Sequence, residues 1–154
     1  MKKQSIVDLE KAMRIMLDAH TGQLDKGGHP YFLHPIRVMS GVATVDEKIV
    51  ALLHDTVEDS SISLSFLKQE GFCDEIVDAV NALTKRDGEA YETFISRVML
   101  CKLATRVKIV DLQDNLDVRR LKEITTNDLQ RIQKYLTALS KLSQSKYVNG
   151  EFLS

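Results

Sequence analysis

The sequence predicts an all-α fold, a single bundle of about seven or eight helices. Three observations carry this. Apolar residues recur at helical spacing nearly throughout. The alternation of a half-buried strand is almost absent. No repeat, low-complexity segment or linker divides the 154 residues, a length that suits one domain with its own core. The expectation is one domain over 1–154, with the chemistry-bearing part at about 19–118.

Each element has its own signal. Ile6, Leu9, Met13, Met16 and Leu17 form the stripe of a first helix, with Ser5 and Asp8 reading as a capping box. "TGQLDKGGHP" is a Gly-rich loop closed by Pro30. A second helix begins near His34 and Pro35, since Pro is tolerated in a first turn. Asp46 reads as the cap of a third, which runs through Ile49, Val50, Leu52 and Leu53 into "HDTVED". A short helix follows and stops at Gly71. Further helices are expected over 72–84, with Ile76, Val77, Val80 and Leu83 inward, and over 89–100 and 104–116. Asn127 with Gln130 reads as the cap of the last, whose stripe is Leu129, Ile132, Leu136, Leu139 and Leu142. The final residues are expected to fray.

Composition excludes more than it proposes. With 21 Lys and Arg against 22 Asp and Glu, the net charge is −1, so nucleic acid is not an expected partner. No apolar run is long enough to cross a membrane, and none is expected to be a partner. The start, "MKKQSIVDLEKAM", places acidic residues in a helical pattern and does not read as an export leader. Cys73 and Cys101 lack metal-binding spacing and read as reduced core residues. The expected location is the cytoplasm. No heptad run bears on oligomeric state, which stays open.

The chemistry concentrates in "ALLHDTVED", where one imidazole and three carboxylates follow an apolar run. Buried charges are paired or bind metal, so this is either an exposed helix end or one wall of a metal site. On one continuous helix, His54 with Glu58 and Asp55 with Asp59 would be i,i+4 pairs. Asp111 and Asn115 share that spacing, and Asp111 follows the apolar Val107, Ile109 and Val110, where a carboxylate needs a partner. Plainer readings stand beside these: a helix-end ion pair for His54 and Asp55, a packed imidazole for His34, an ion pair with Lys108 or Arg106 for Asp111, and a solvated helix end for Glu58 and Asp59.

"HTGQLDKGGHPYFLHP", "ALLHDTVEDS", "ALTK" and "VKIVDLQDN" occur in this order and together resemble the HD-domain hydrolases of the RelA/SpoT type, most closely the small alarmone hydrolases. The resemblance spans about residues 19–115. It implies four metal ligands, His34, His54, Asp55 and Asp111, for a divalent ion, usually Mn2+. It implies that Glu58 and Asp59 activate or position the attacking water, and that Lys26, Asn115 and His20 lie near a nucleotide substrate. The implied activity is hydrolysis of guanosine 3′,5′-bis(diphosphate), ppGpp, to GDP and pyrophosphate. Three positions depart from the pattern. Asp25 stands where the family has an Arg that packs on the base. Leu112 and Val118 stand where it has Arg and Thr. The same chemistry on a different nucleotide is therefore an alternative, and a nucleotide-binding module without catalysis is another. These residues hold none of the synthetase or regulatory regions of the long family enzymes, so one activity is expected.

Overall fold

A computed structural model describes residues 3–149. In chain order the helices are α1 (Lys3–Ala19), α2 (Leu33–Ser40), α3 (Val45–Leu53), α4 (Thr56–Asp59), α5 (Leu64–Gln69), α6 (Asp74–Leu83), α7 (Tyr91–Val98), α8 (Lys102–Asn115), α9 (Thr126–Ser143) and α10 (Lys146–Asn149), with a 3₁₀ turn over Val118–Arg120. The fold is all-α. Among the described residues the one departure is a single bridge, Leu24 to Pro30, at the neck of the Gly-rich loop. Among the described residues no helix is long and apolar enough to cross a membrane. The expectation that the last residues fray lies outside the described residues.

The bundle is organised around α3. Ile49, Val50, Ala51, Leu52 and Leu53 are each at most 1% exposed, so the second half of this helix is apolar on every side, as a central segment must be. α1, α2, α6 and α8 pack against it. α7 and α9 lie outside α8. The buried Glu47 fastens α3 to α8 through its carboxylate, 2.9 Å from the Arg106 guanidinium.

Local chemistry sets the helix ends, and it moves several of the expected caps. The cap of α3 is Thr44, not Asp46. The Thr44 backbone is extended (φ −85°, ψ 160°), so its hydroxyl reaches the Glu47 amide while the Glu47 carboxylate returns to the Thr44 amide. α9 repeats this device with Thr125 and Asp128, not Asn127 and Gln130. Asp46 and Asn127 fall two residues too late, where the backbone is already helical. Ser5 and Asp8 likewise lie inside α1. The stop at Gly71 is as expected. With φ +87° it sends the Phe72 amide back to the Leu67 carbonyl (3.3 Å), and Leu67 and Phe72 are both buried.

Two further expectations are corrected. Ile6, Leu17, Leu129 and Leu136 are outward-facing, 39–58% exposed, while Met16 and Leu142 are buried as expected and are joined by Ala12, Ile15 and Ala138. Cys73 is exposed and Cys101 only partly buried, because each occupies a helix N-cap rather than an inward face.

Candidate active site

The helix carrying "ALLHDTVED" is not continuous. α3 ends at Leu53, and α4 starts at Thr56 after a change of direction at His54 and Asp55 (φ −104°, ψ −4° at the latter). Side chains satisfy the carbonyls that the break exposes: Thr56 Oγ1 donates to Leu53 (2.8 Å), and His54 Nδ1 to Ala51 (2.6 Å). In an unbroken helix successive side chains diverge by about 100°. Here His54 Nε2 and Asp55 Oδ2 converge to 2.9 Å.

Two other elements complete the cluster. His34, in the first turn of α2, and Asp111, on α8, approach to 3.1 Å (Nε2 to Oδ1). His34 Nε2 is 3.7 Å from Asp55 Oδ2, and His54 Nε2 is 3.7 Å from Asp111 Oδ1. One donor atom from each of His34, His54 and Asp111 lies within 4.8 Å of the others, and all three residues are buried. The four residues expected as ligands are thus brought together.

The far side of each imidazole is committed. His54 Nδ1 faces a backbone carbonyl, which only accepts, so it carries the proton. His34 Nδ1 donates to Asp114 Oδ2 (2.7 Å), and Arg37 clamps that carboxylate from Nε and Nη2 (2.7 and 3.0 Å). Each neutral ring therefore presents a bare Nε2 lone pair to two carboxylates. That arrangement is repulsive unless a proton or a cation lies between. His54 Nε2 is also buried without a hydrogen bond among the described residues. Two fixed nitrogens and two carboxylates fit a divalent cation, with the outer partners that orient such ligands.

The electrostatics agree. Burial disfavours the imidazolium, yet the facing carboxylates outweigh it and raise both histidines above their ordinary range in the metal-free protein, His54 strongly. Burial would raise Asp55 and Asp111, but the imidazoles, and for Asp111 first the Lys108 ammonium, hold them below the usual carboxylate range. Lys108 pairs with Asp111 Oδ2 at 2.7 Å, the plainer reading of that residue, while Oδ1 still faces the histidines. Asn115 donates to the same Oδ1 (2.6 Å).

Around this cluster lies a chamber of about 280 Å³ that includes Asp55, Glu58, Lys85, Lys108, Asp111 and Lys134 in its walls. Tyr31, Asn115 and Tyr135 separate it from a second of about 230 Å³, where Lys26, Arg120 and Arg131 stand. Glu58 accepts the Lys85 amide (3.2 Å), and burial together with Asp55 and Asp59 raises its pKa. Asp59 is raised by burial and by Asp55, and is not in the wall of either chamber. His20 is buried and stands in neither wall. Its ring lies 4.9 Å from that of Tyr31, and its Nδ1 meets Gln23 Oε1 (2.8 Å), while Gln23 Nε2 donates to the Asp59 carbonyl (3.0 Å). Sequence reasoning assigned no role to Tyr31 or Asp114. Tyr31 donates its hydroxyl to Asp55 Oδ2, and its position three residues before His34 was the available signal. Asp114 lies 80 residues from His34 and left none.

No protein-family model matches the chain. It is 33% identical over 132 residues to a guanosine-3′,5′-bis(diphosphate) 3′-pyrophosphohydrolase of Haemophilus influenzae, a match covering 78% of this chain and 20% of that protein. It is 33% identical over 124 residues to a probable GTP pyrophosphokinase of Mycobacterium leprae, covering 74% of this chain and 16% of that one. This chain thus spans at most a fifth of the length of these relatives. A solved structure described as a metazoan ortholog of SpoT that hydrolyzes ppGpp superposes with a TM-score of 0.73 at 18% identity, covering 94% of this chain and 93% of that one, which establishes a common fold. The chain belongs to the RelA/SpoT-type HD family. Two of its departures from the family pattern have local causes. Asp25 Oδ1 accepts the Gly27 and His29 amides (2.8 and 2.9 Å), so this carboxylate shapes its own loop. Leu112 is fully buried in the core, where no Arg would fit unpaired.

Proposed function

We propose that this domain is a metal-dependent phosphohydrolase that cleaves ppGpp at the 3′ position to GDP and pyrophosphate, with Mn2+ as the working ion. The observation that carries this reading is the paired commitment of His34 and His54, each with Nδ1 tied down and Nε2 aimed at Asp55 and Asp111. The names of the relatives divide between pyrophosphokinase and pyrophosphohydrolase. A two-His, two-Asp donor set beside a carboxylate base favours hydrolysis. Two adjoining chambers of about 280 and 230 Å³, both walled with basic residues, suit a nucleotide that carries phosphate groups at two places.

His34, His54, Asp55 and Asp111 would hold a divalent ion, which would supply Lewis-acid polarisation and a lowered pKa for water. The chain's own residues do the rest. Glu58, with its raised pKa, is a stronger base than an ordinary carboxylate and accepts the proton of the attacking water. Asp59, which lines neither chamber, acts through its charge, which helps to raise the Glu58 pKa. The bond from phosphorus to the ribose 3′ oxygen breaks, and that oxygen takes up a proton. Lys108 and Asn115 fix Asp111, and Tyr31 fixes Asp55. Asn115 and Lys26 face the nucleoside side of the cleft, and His20 supports Tyr31 and Gln23 from behind.

His54→Ala and Asp55→Asn are expected to remove Mn2+ binding and ppGpp turnover together, read by calorimetry and by anion-exchange analysis of products. Turnover retained in either variant overturns the assignment. A second reading, the same chemistry on another nucleotide, is favoured by Asp25, which turns into its loop and leaves no guanidinium for the base. A panel of nucleoside mono-, di- and triphosphates beside ppGpp separates the two.

A further inference from the structure

Two donors in the wall of the metal chamber have no protein acceptor among the described residues. The Tyr91 hydroxyl oxygen is buried without a partner among the described residues. Burial pushes its pKa up to about 12, so it keeps its proton and remains a donor. Lys134, at the exposed rim on α9, holds its ammonium over the faces of Tyr91 (4.6 Å) and Tyr135 (5.4 Å). No carboxylate among the described residues forms an ion pair with it. Lys85 and Lys26 likewise have no ion pair among the described residues, whereas Lys108 pairs with Asp111, Arg131 with Asp128, Arg120 with Asp114 and Arg97 with Glu89. Burial and the surrounding cations Lys85, Lys26, Arg131 and Lys108 lower the Lys134 pKa, the mark of a positive cluster that lacks its anion.

The pair lies beside the metal donors. Lys108 bonds Asp111 on one side, and its ammonium lies 5.2 Å from the Phe94 ring centre on the other. Phe94 and Tyr91 ring centres are 5.9 Å apart. Tyr91 and Lys134 thus share the chamber wall with the metal donors Asp55 and Asp111. Charge points the same way. Asp55, Glu58 and Asp111 in the chamber wall are matched by Lys85, Lys108 and Lys134. A divalent ion then leaves an excess of two positive charges, which suits a phosphoryl anion.

We propose that Tyr91 and Lys134 form a subsite for the outer phosphoryl group of a diphosphate, so that this chain's site holds the group transferred to water as pyrophosphate in preference to phosphate. The inference rests on the reading of the chamber as a phosphoryl site, and it assigns a task to two residues outside the ligand and base set. A charge-assisted contact to a phosphoryl oxygen is expected to contribute about tenfold in affinity.

The test is calorimetric binding of pyrophosphate and of inorganic phosphate to the Mn2+-loaded protein, with no turnover required. Wild type is expected to bind pyrophosphate more tightly than phosphate. Lys134→Met, which keeps the apolar stem on the tyrosines, is expected to weaken pyrophosphate about tenfold and leave phosphate unchanged. Lys134→Arg should restore it, and Tyr91→Phe, which keeps the ring, should weaken it several-fold. Unchanged pyrophosphate affinity in Lys134→Met overturns the proposal. So does equal weakening in the Met and Arg variants, because Arg keeps the charge, or an equal loss for phosphate, because the subsite would then not be the outer one. Lys134-dependent pyrophosphate binding in a protein that leaves ppGpp intact would retain this subsite and reject ppGpp as the substrate.

Discussion

Replacing Asp114 by Ala tests whether the far side of His34 governs the metal site. The Asp114 carboxylate accepts His34 Nδ1 at 2.7 Å and is held in place by Arg37. Without it, a buried ring loses the acceptor that fixes its tautomer and its angle toward Asp111. Loss of such an outer partner typically weakens metal binding about 10- to 100-fold. At an ion concentration about 100 times the wild-type Kd, binding stabilises wild type by about 2.7 kcal/mol. A 100-fold weaker site gains only about 0.4 kcal/mol at that concentration, and a tenfold weaker one about 1.4. For a domain of this size each kcal/mol moves Tm by about 2–4 °C. The variant should therefore show a metal-induced rise in Tm smaller by about 3–9 °C. Thermal melts with Mn2+ and with chelator measure the two rises directly. An equal rise in wild type and variant would refute the reasoning, even if the chelated variant is less stable.

Two further outcomes follow from the same geometry. In chelator-treated protein the raised pKa values of His34 and His54 give stability that is fully present below about pH 6.5 and is lost as pH rises through the higher folded-state values. Urea unfolding at pH 6 and pH 9 should show the fall, metal should reverse it because ligation needs neutral imidazoles, and chelated protein that is equally stable at both would remove the basis for it. At Gly27 an added Cβ would meet the Arg120 carbonyl at 2.5 Å, so Gly27→Ala should part the loop from the 3₁₀ turn, raise KM several-fold and leave Mn2+ affinity intact; an unchanged KM would show that the second chamber does not contact substrate.

Local chemistry made much of this protein legible in order of sequence. Helical spacing of apolar residues gave the all-α class, because that period follows from backbone geometry alone. Gly71 marked a stop because only a residue free at positive φ closes that turn. The metal residues could be picked out because imidazoles and carboxylates behind apolar runs need partners wherever they are buried. Caps were less legible. Thr44 competes with Asp46, and Thr125 with Asn127, and the winner depends on where the backbone first turns helical.

What the sequence by itself determined, then, is the helical class and the set of groups able to bind a cation. Tertiary structure decided their aim. A helix read as continuous is broken at His54 and Asp55, and the break lets two successive side chains converge. Asp114 came to His34 across 80 residues, and Tyr91 and Lys134 met from α7 and α9. No local pattern encodes such meetings, because they are fixed by the packing of α2, α7, α8 and α9 around one buried helix.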